Sequence, residues 1–135
     1  MNDKDLVKIA FEAKEISYSP YSKFKVGAAL LAKNGNIYSG CNIESAAYTP
    51  TNCAERTAFF KAVSEGTTEF EAIAVVGALE GTKAEWCSPC GVCRQVMAEF
   101  CSSDFRIIMS DEDYNLQVCS LDELLPYRFG PESLQ

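Results

Sequence analysis

The chain has 135 residues, 12 basic and 19 acidic side chains, a formal net charge of −7, seven cysteines and no histidine. Without histidine there is no Ser-His-Asp triad, Cys-His dyad or imidazole metal ligand, so any metal must sit on thiolates or carboxylates. A nucleic-acid partner would want a basic face, and no Lys/Arg cluster exists; the longest apolar run, Ile73 to Leu79, is far too short to span a bilayer.

The length fits one domain over 1–135, and an apolar fraction of 47% is ordinary for a folded globular chain. Nothing at Met1-Asn2-Asp3-Lys4 has the shape of a signal peptide, which points to the cytoplasm. Cysteine enrichment there means metal binding or catalysis more often than disulfides.

In chain order, Asp3 to Ile16 alternates apolar and charged residues as an amphipathic helix does. Ser17 to Ser22, with Pro20, breaks it. Phe24–Ala32 and Ile37–Ile43 flank Asn34-Gly35 and read as a hairpin. Cys53 to Val63 reads as a helix after a polar start at Thr51-Asn52, with Gly66 ending it. Glu71 to Leu79 leaves no polar face at Ile73-Ala74-Val75-Val76, so it predicts a buried strand. A helix then begins near Pro89-Cys90 and runs to Phe100. A strand at Arg106–Met109, a turn at Asp111–Asp113, a strand at Leu116–Val118, a short helical stretch at Leu121–Pro126 and an irregular tail complete the chain. This order predicts an α/β fold with three layers, helices on both faces of a mixed, roughly five-stranded sheet.

Two segments carry chemistry. Pro89-Cys90-Gly91-Val92-Cys93 is a Cys-x-x-Cys at a helix start, and residues three apart share a helical face, so both sulfurs can reach one metal. Cys53-Ala54-Glu55 offers a third sulfur, also at a helix start, where the helix dipole favours thiolate. Three thiolates leave the fourth tetrahedral position of a zinc open, as a catalytic site requires. Glu55 supplies a base, although residues two apart do not share a helical face and geometry alone would not select it. Arg56, three residues after Cys53, can donate to the sulfurs and offset their charge.

Cys53-Ala54-Glu55 with Pro89-Cys90-Gly91-Val92-Cys93 resembles the zinc nucleoside deaminases. Phe24-Lys25-Val26-Gly27-Ala28-Ala29-Leu30, Gly40-Cys41-Asn42-Ile43-Glu44, Arg56-Thr57-Ala58, Arg94-Gln95-Val96-Met97 and the tail from Leu124-Leu125-Pro126 to Phe129-Gly130-Pro131-Glu132 extend the likeness to the small homotetrameric cytidine deaminase family. The resemblance covers nearly the whole chain from Tyr18 onward. It implies that Cys53, Cys90 and Cys93 bind one Zn²⁺ per subunit and that Glu55 shuttles protons. It further implies that Phe24 packs on a free pyrimidine nucleoside, Asn42 and Glu44 hold the ribose hydroxyls, and the backbone of Ala54 and Ser88 meets the pyrimidine edge. Phe129 would reach a neighbouring subunit's site and Tyr48 would lie at a subunit contact, in a homotetramer with shared active sites. The implied reaction is hydrolytic deamination of cytidine and deoxycytidine in pyrimidine salvage.

Other readings stand beside this one. Cys87 makes a doubled Cys-x-x-Cys and allows a closed, structural four-thiolate zinc, though Pro89 and the helix start separate it from Cys90 and Cys93 and favour an ordinary strand-end thiol. Cys41, Cys101 and Cys119 read as buried small hydrophobes. Tyr21 and Trp86 read equally as core or interface. A deaminase of another aminopyrimidine such as blasticidin is the neighbouring alternative, and a structural zinc module would have no use for Glu55. A nucleic-acid editing deaminase would want the basic groove that is missing.

Overall fold

A computed structural model describes residues 1–135. Helix α1 (Asp3–Lys14) starts at a capping box: the Asn2 side chain accepts from the Asp5 N–H at 2.9 Å while the Asp5 carboxylate accepts from the Asn2 N–H. It ends at Lys14, two residues before the expected Ile16, and buries Leu6, Val7, Ala10 and Ala13. Strands β1 (Phe24–Ala32) and β2 (Ile37–Cys41) form the hairpin expected at Asn34-Gly35, with Gly35 in the left-handed region at φ 92°. Helix α2 (Ala54–Ser64), strand β3 (Phe70–Leu79), helix α3 (Gly91–Phe100), strands β4 (Arg106–Ser110) and β5 (Leu116–Ser120) and helix α4 (Leu121–Leu124) follow. The tail is less irregular than its sequence suggests, because Pro131 opens a 3₁₀ turn over Pro131–Leu134.

The five strands lie in the order β2-β1-β3-β4-β5. Only β3 and β4 are parallel, and α3 is the connection between them; every other pair is antiparallel, so the sheet is mixed as expected. Alternation along the strands divides two cores. Ala28, Leu30, Ile73, Val75 and Ile107 face α2, α3 and α4 through Ala58, Phe59, Met97 and Leu121. Ala29, Ala72, Ala74, Val76 and Ile108 face α1 through Leu6, Val7 and Ala10. Both faces of β3 are therefore covered, which is why it shows no polar face. No helix is long and apolar enough to cross a membrane.

Strand β2 stops at Cys41 rather than at Ile43. The reason is Asn42, whose side chain takes over from the ladder: its Nδ2 donates to the Phe24 carbonyl at 2.8 Å and its Oδ1 accepts from the Val26 N–H at 2.9 Å. Ile43 then pairs singly with Tyr18 and Asn52, turning the chain toward α2.

Candidate active site

The first turn of α2 rests on β2 at Gly40. A Cβ there would stand 2.6 Å from the Ala54 carbonyl oxygen and 2.7 Å from the Ala58 nitrogen, so only glycine permits this approach. The segment after β3 brings the start of α3 alongside. Cys53 is the N-cap of α2 and Cys90 the N-cap of α3, both extended, and neither sulfur caps its own helix. Their sulfurs instead face each other at 3.7 Å, and Cys90 lies 3.5 Å from Cys93. N-cap and third helical residue are the pair that a capping box normally joins, and here both carry thiols.

The three sulfurs of Cys53, Cys90 and Cys93 lie within 4.8 Å of one another. Two sulfurs on a tetrahedral zinc at ~2.3 Å would be about 3.8 Å apart, close to the observed separations. All three cysteines are free thiols, and this donor set suits zinc with one coordination position left over. Cys87 stands outside the cluster. Its Sγ and the Phe24 Cε1 each stand 3.0 Å from where a Gly77 Cβ would be, and burial pushes its thiol up to about 11. Cys41, Cys101 and Cys119 are half-buried rather than fully buried.

Arg56 occupies the third position of α2 and reaches back to its N-cap, with Nη2 donating to the Cys53 sulfur at 3.3 Å. A hydrogen bond from the Cys93 thiol, with those of Arg56 and Cys90 behind it, pulls Cys53 down to about 5, while Cys93 is driven up by that same bond and by burial. The Arg56 Nε is buried without a hydrogen-bond partner. Glu55 sits beside this cluster at 3% exposure, and burial, aided by the Cys53 charge, pushes its carboxyl up to about 7. Such a group can both accept and donate a proton near neutrality.

Around the centre, Asn42 is buried and grips the start of β1 as described, with Ser17 donating to its Oδ1. Glu44 accepts from the Ser22 hydroxyl and from the Tyr21 and Ser22 N–H groups at 3.0 and 3.1 Å; the Ser22 bond above all holds its carboxyl below the ordinary range. Phe24 is partly exposed and lines a cavity of about 530 Å³ with Leu79, Trp86 and Cys87. Ala54 is fully buried and Ser88 is exposed. Phe129 and Tyr48 are not drawn into this chain's own centre but face outward, 61% and 79% exposed, Tyr48 at φ 65°. The Phe129 carbonyl is held by Gln95 Nε2 at 2.8 Å.

Two contributors escaped the sequence reading. Arg94 donates from Nε to the Pro89 carbonyl at 2.8 Å and from Nη1 to the Leu124 carbonyl at 2.7 Å, fixing the residue before Cys90. The only signal was its place directly after the Cys-x-x-Cys. Gly77 seats Phe24 and Cys87, and nothing local to its sequence announces that.

Comparison with known proteins agrees with this geometry. The family model for the cytidine and deoxycytidylate deaminase zinc-binding region matches residues 1–109. The chain is 50% identical over 134 residues to the cytidine deaminase of Sporosarcina psychrophila, covering 99% of this chain and 96% of that protein. It is 48% identical over 134 residues to that of Halalkalibacterium halodurans, covering 99% and 98%. The crystal structure of cytidine deaminase from Burkholderia pseudomallei superposes with a TM-score of 0.87 at 44% identity, covering 96% of this chain and all of the other.

Proposed function

The chain belongs to the cytidine and deoxycytidylate deaminase family, and from that premise we propose that it hydrolyses cytidine and deoxycytidine to uridine and deoxyuridine with release of ammonia. The observation that carries this is the juxtaposition of three sulfurs within 4.8 Å with a carboxyl that is almost wholly buried beside them.

Cys53, Cys90 and Cys93 hold the zinc, one per subunit. Bound zinc supplies the Lewis acidity that makes water a competent nucleophile near neutral pH. Glu55 does the proton work. Its carboxylate accepts a proton from the attacking water and delivers it to the ring nitrogen beside the amino-bearing carbon. As the water oxygen bonds to that carbon and the C–N bond breaks, Glu55 relays a second proton to the departing amine. Water and cytidine thus give uridine and ammonia. Arg56 draws charge from Cys53 and keeps three thiolates from quenching the Lewis acidity.

Phe24 packs on the nucleoside, and the backbone of Ala54 and Ser88 meets the pyrimidine edge. Asn42 and Glu44 hold ribose hydroxyls. The carboxylate of Glu44 accepts; Asn42, with its oxygen already engaged, has an N–H left to donate. The outward Phe129 and Tyr48 fit a homotetramer in which one subunit completes another's site. We read residues 1–135 as one domain working on free nucleosides in the cytoplasm.

The test is direct. The purified protein is incubated with cytidine, deoxycytidine and blasticidin S, the ultraviolet change is followed, and zinc per subunit is measured. Loss of cytidine and deoxycytidine absorbance at one zinc per subunit is expected. Full zinc loading with no change in any substrate would leave a structural zinc site and overturn the proposal.

A further inference from the structure

We propose that Trp86 and Glu112 are positioning residues for substrate: they fasten Ala84 and Trp86 to the turn between β4 and β5 and so hold the Ser88 backbone, two residues on, in place. This rests on the reading that Ser88 meets the pyrimidine.

The segment between β3 and α3, residues 80–90, delivers both Ser88 and Cys90. Its backbone meets the sheet where the Glu80 N–H donates to the Lys23 carbonyl and where Glu85 bridges to Gly77, and side chains from elsewhere in the fold hold it at two further places. At its far end, Arg94 holds the Pro89 carbonyl and ties it to Leu124. At its near end, the anchor is the β4–β5 turn. Ala84 is buried, and both of its backbone polar groups are taken by Glu112: the Ala84 N–H donates to Glu112 Oε1 at 2.8 Å, and the Glu112 N–H donates to the Ala84 carbonyl at 2.9 Å. Two residues on, the Trp86 indole Nε1 donates to the Asn115 carbonyl at 2.8 Å. The turn that receives these bonds is itself cross-braced. The Asp111 carboxylate accepts from the Asp113 N–H, the Asn115 N–H and the Asn115 side-chain amide, all at about 3 Å.

Trp86 also forms part of the wall of the cavity that contains Phe24 and Cys87. A tryptophan 54% exposed, with its N–H committed to a backbone carbonyl, is built to keep its ring and its neighbours in register. The two anchors then have different duties. Arg94 serves Cys90 and the metal. Glu112 and Trp86 serve the stretch that ends at Ser88. Weakening the second anchor leaves the Glu85 bridge to Gly77 as the near-end tie, which loosens the substrate edge and leaves the three sulfurs where they are.

Trp86→Phe keeps the aromatic ring and removes its N–H; Glu112→Ala removes the acceptor for Ala84, and Glu112→Gln retains an oxygen there. Each is measured by steady-state deamination of cytidine, zinc per subunit and melting temperature. Trp86→Phe and Glu112→Ala should each raise KM about fivefold, with kcat within about twofold and zinc unchanged, and Glu112→Gln should return toward the parent. Because Trp86 is the only tryptophan, its fluorescence gives a readout independent of turnover. Acrylamide should quench it more readily in Glu112→Ala than in the parent, and saturating uridine should shift its emission in the parent. Unchanged KM in both variants, even with a lowered melting temperature, would reduce the two residues to structural ones and overturn the proposal. Zinc lost in step with activity would overturn it as well, since the anchor would then serve Cys90. If the parent protein itself left cytidine untouched at full zinc, the functional reading would fail, and this proposal with it.

Discussion

Gly40→Ala tests whether the close seating of α2 on the sheet sets the metal centre. The new Cβ would lie 2.6 Å from the Ala54 carbonyl oxygen, 2.7 Å from the Ala58 nitrogen and 3.0 Å from the Thr57 Cβ. The first two are backbone atoms of α2, so no side-chain rotation relieves them. To restore an ordinary contact of 3.4 Å, the first turn of the helix must recede by about 0.8 Å. Cys53 is the N-cap of that turn and moves with it, whereas Cys90 and Cys93 are carried by α3 and do not. Metal–ligand distances tolerate only about 0.2 Å, so the displacement is roughly four times what a zinc site absorbs. The substitution should cost about 1–3 kcal/mol of stability, as overpacking in a core does, and lower the melting temperature by roughly 4 °C per kcal/mol at this length. Zinc affinity, measured by competition with a chromophoric chelator, should fall at least about tenfold. Gly91→Ala is the control. Gly91 lies between the two ligand cysteines of α3, yet nothing stands within 4 Å of its Cβ position and its backbone is not left-handed. That variant should bind zinc normally and be neutral to slightly more stable. Parent-like zinc affinity and melting temperature in Gly40→Ala would refute the reasoning.

Three further predictions can be checked in parallel. Arg56→Ala removes the donor to Cys53, and zinc affinity should drop about 10–100-fold with a fall in turnover; both unchanged would mean that Arg56 does not compensate the thiolates. Asn42→Ala strands the Phe24 carbonyl and the Val26 N–H, costing about 1–3 kcal/mol in thermal unfolding and raising KM for cytidine; a parent-like melting curve would contradict this. Cys87 and Cys101 are pushed up to about 11 and about 12 by burial, so at pH 8 each is nearly all thiol. Peptide mapping after iodoacetamide treatment should find both unlabelled in the folded, zinc-loaded protein and labelled in denaturant; rapid labelling of Cys87 in the folded state would show its thiolate to be accessible.

What could be read from the chain beforehand was local. Strand alternation and helix starts are written in neighbouring residues, and so is the pairing of Cys90 with Cys93, which needs only one helical turn. Cys53 joins them because it too is an N-cap. Glu55 is different. Its helical position does not select a face, and its burial beside Cys93 of α3 is a contact between segments. The Asn42 side chain ended β2 early by bonding to a strand 16 and 18 residues away, which periodicity does not report. Glu112 and Ala84 meet across 28 residues, and no pattern in either segment refers to the other. Phe129 and Tyr48 stand outward on this chain, so the subunit contacts proposed for them turn on a surface that a single chain does not contain.

The most direct measurement is the turnover of Glu55→Ala after zinc loading, with metal content assayed on the same sample. The three cysteines are untouched by this change, so zinc per subunit should stay at one while kcat for cytidine falls by about 10²–10⁴, the range expected on losing a general acid–base. Near-parental turnover in the zinc-loaded variant would contradict the assignment of Glu55 as the proton carrier.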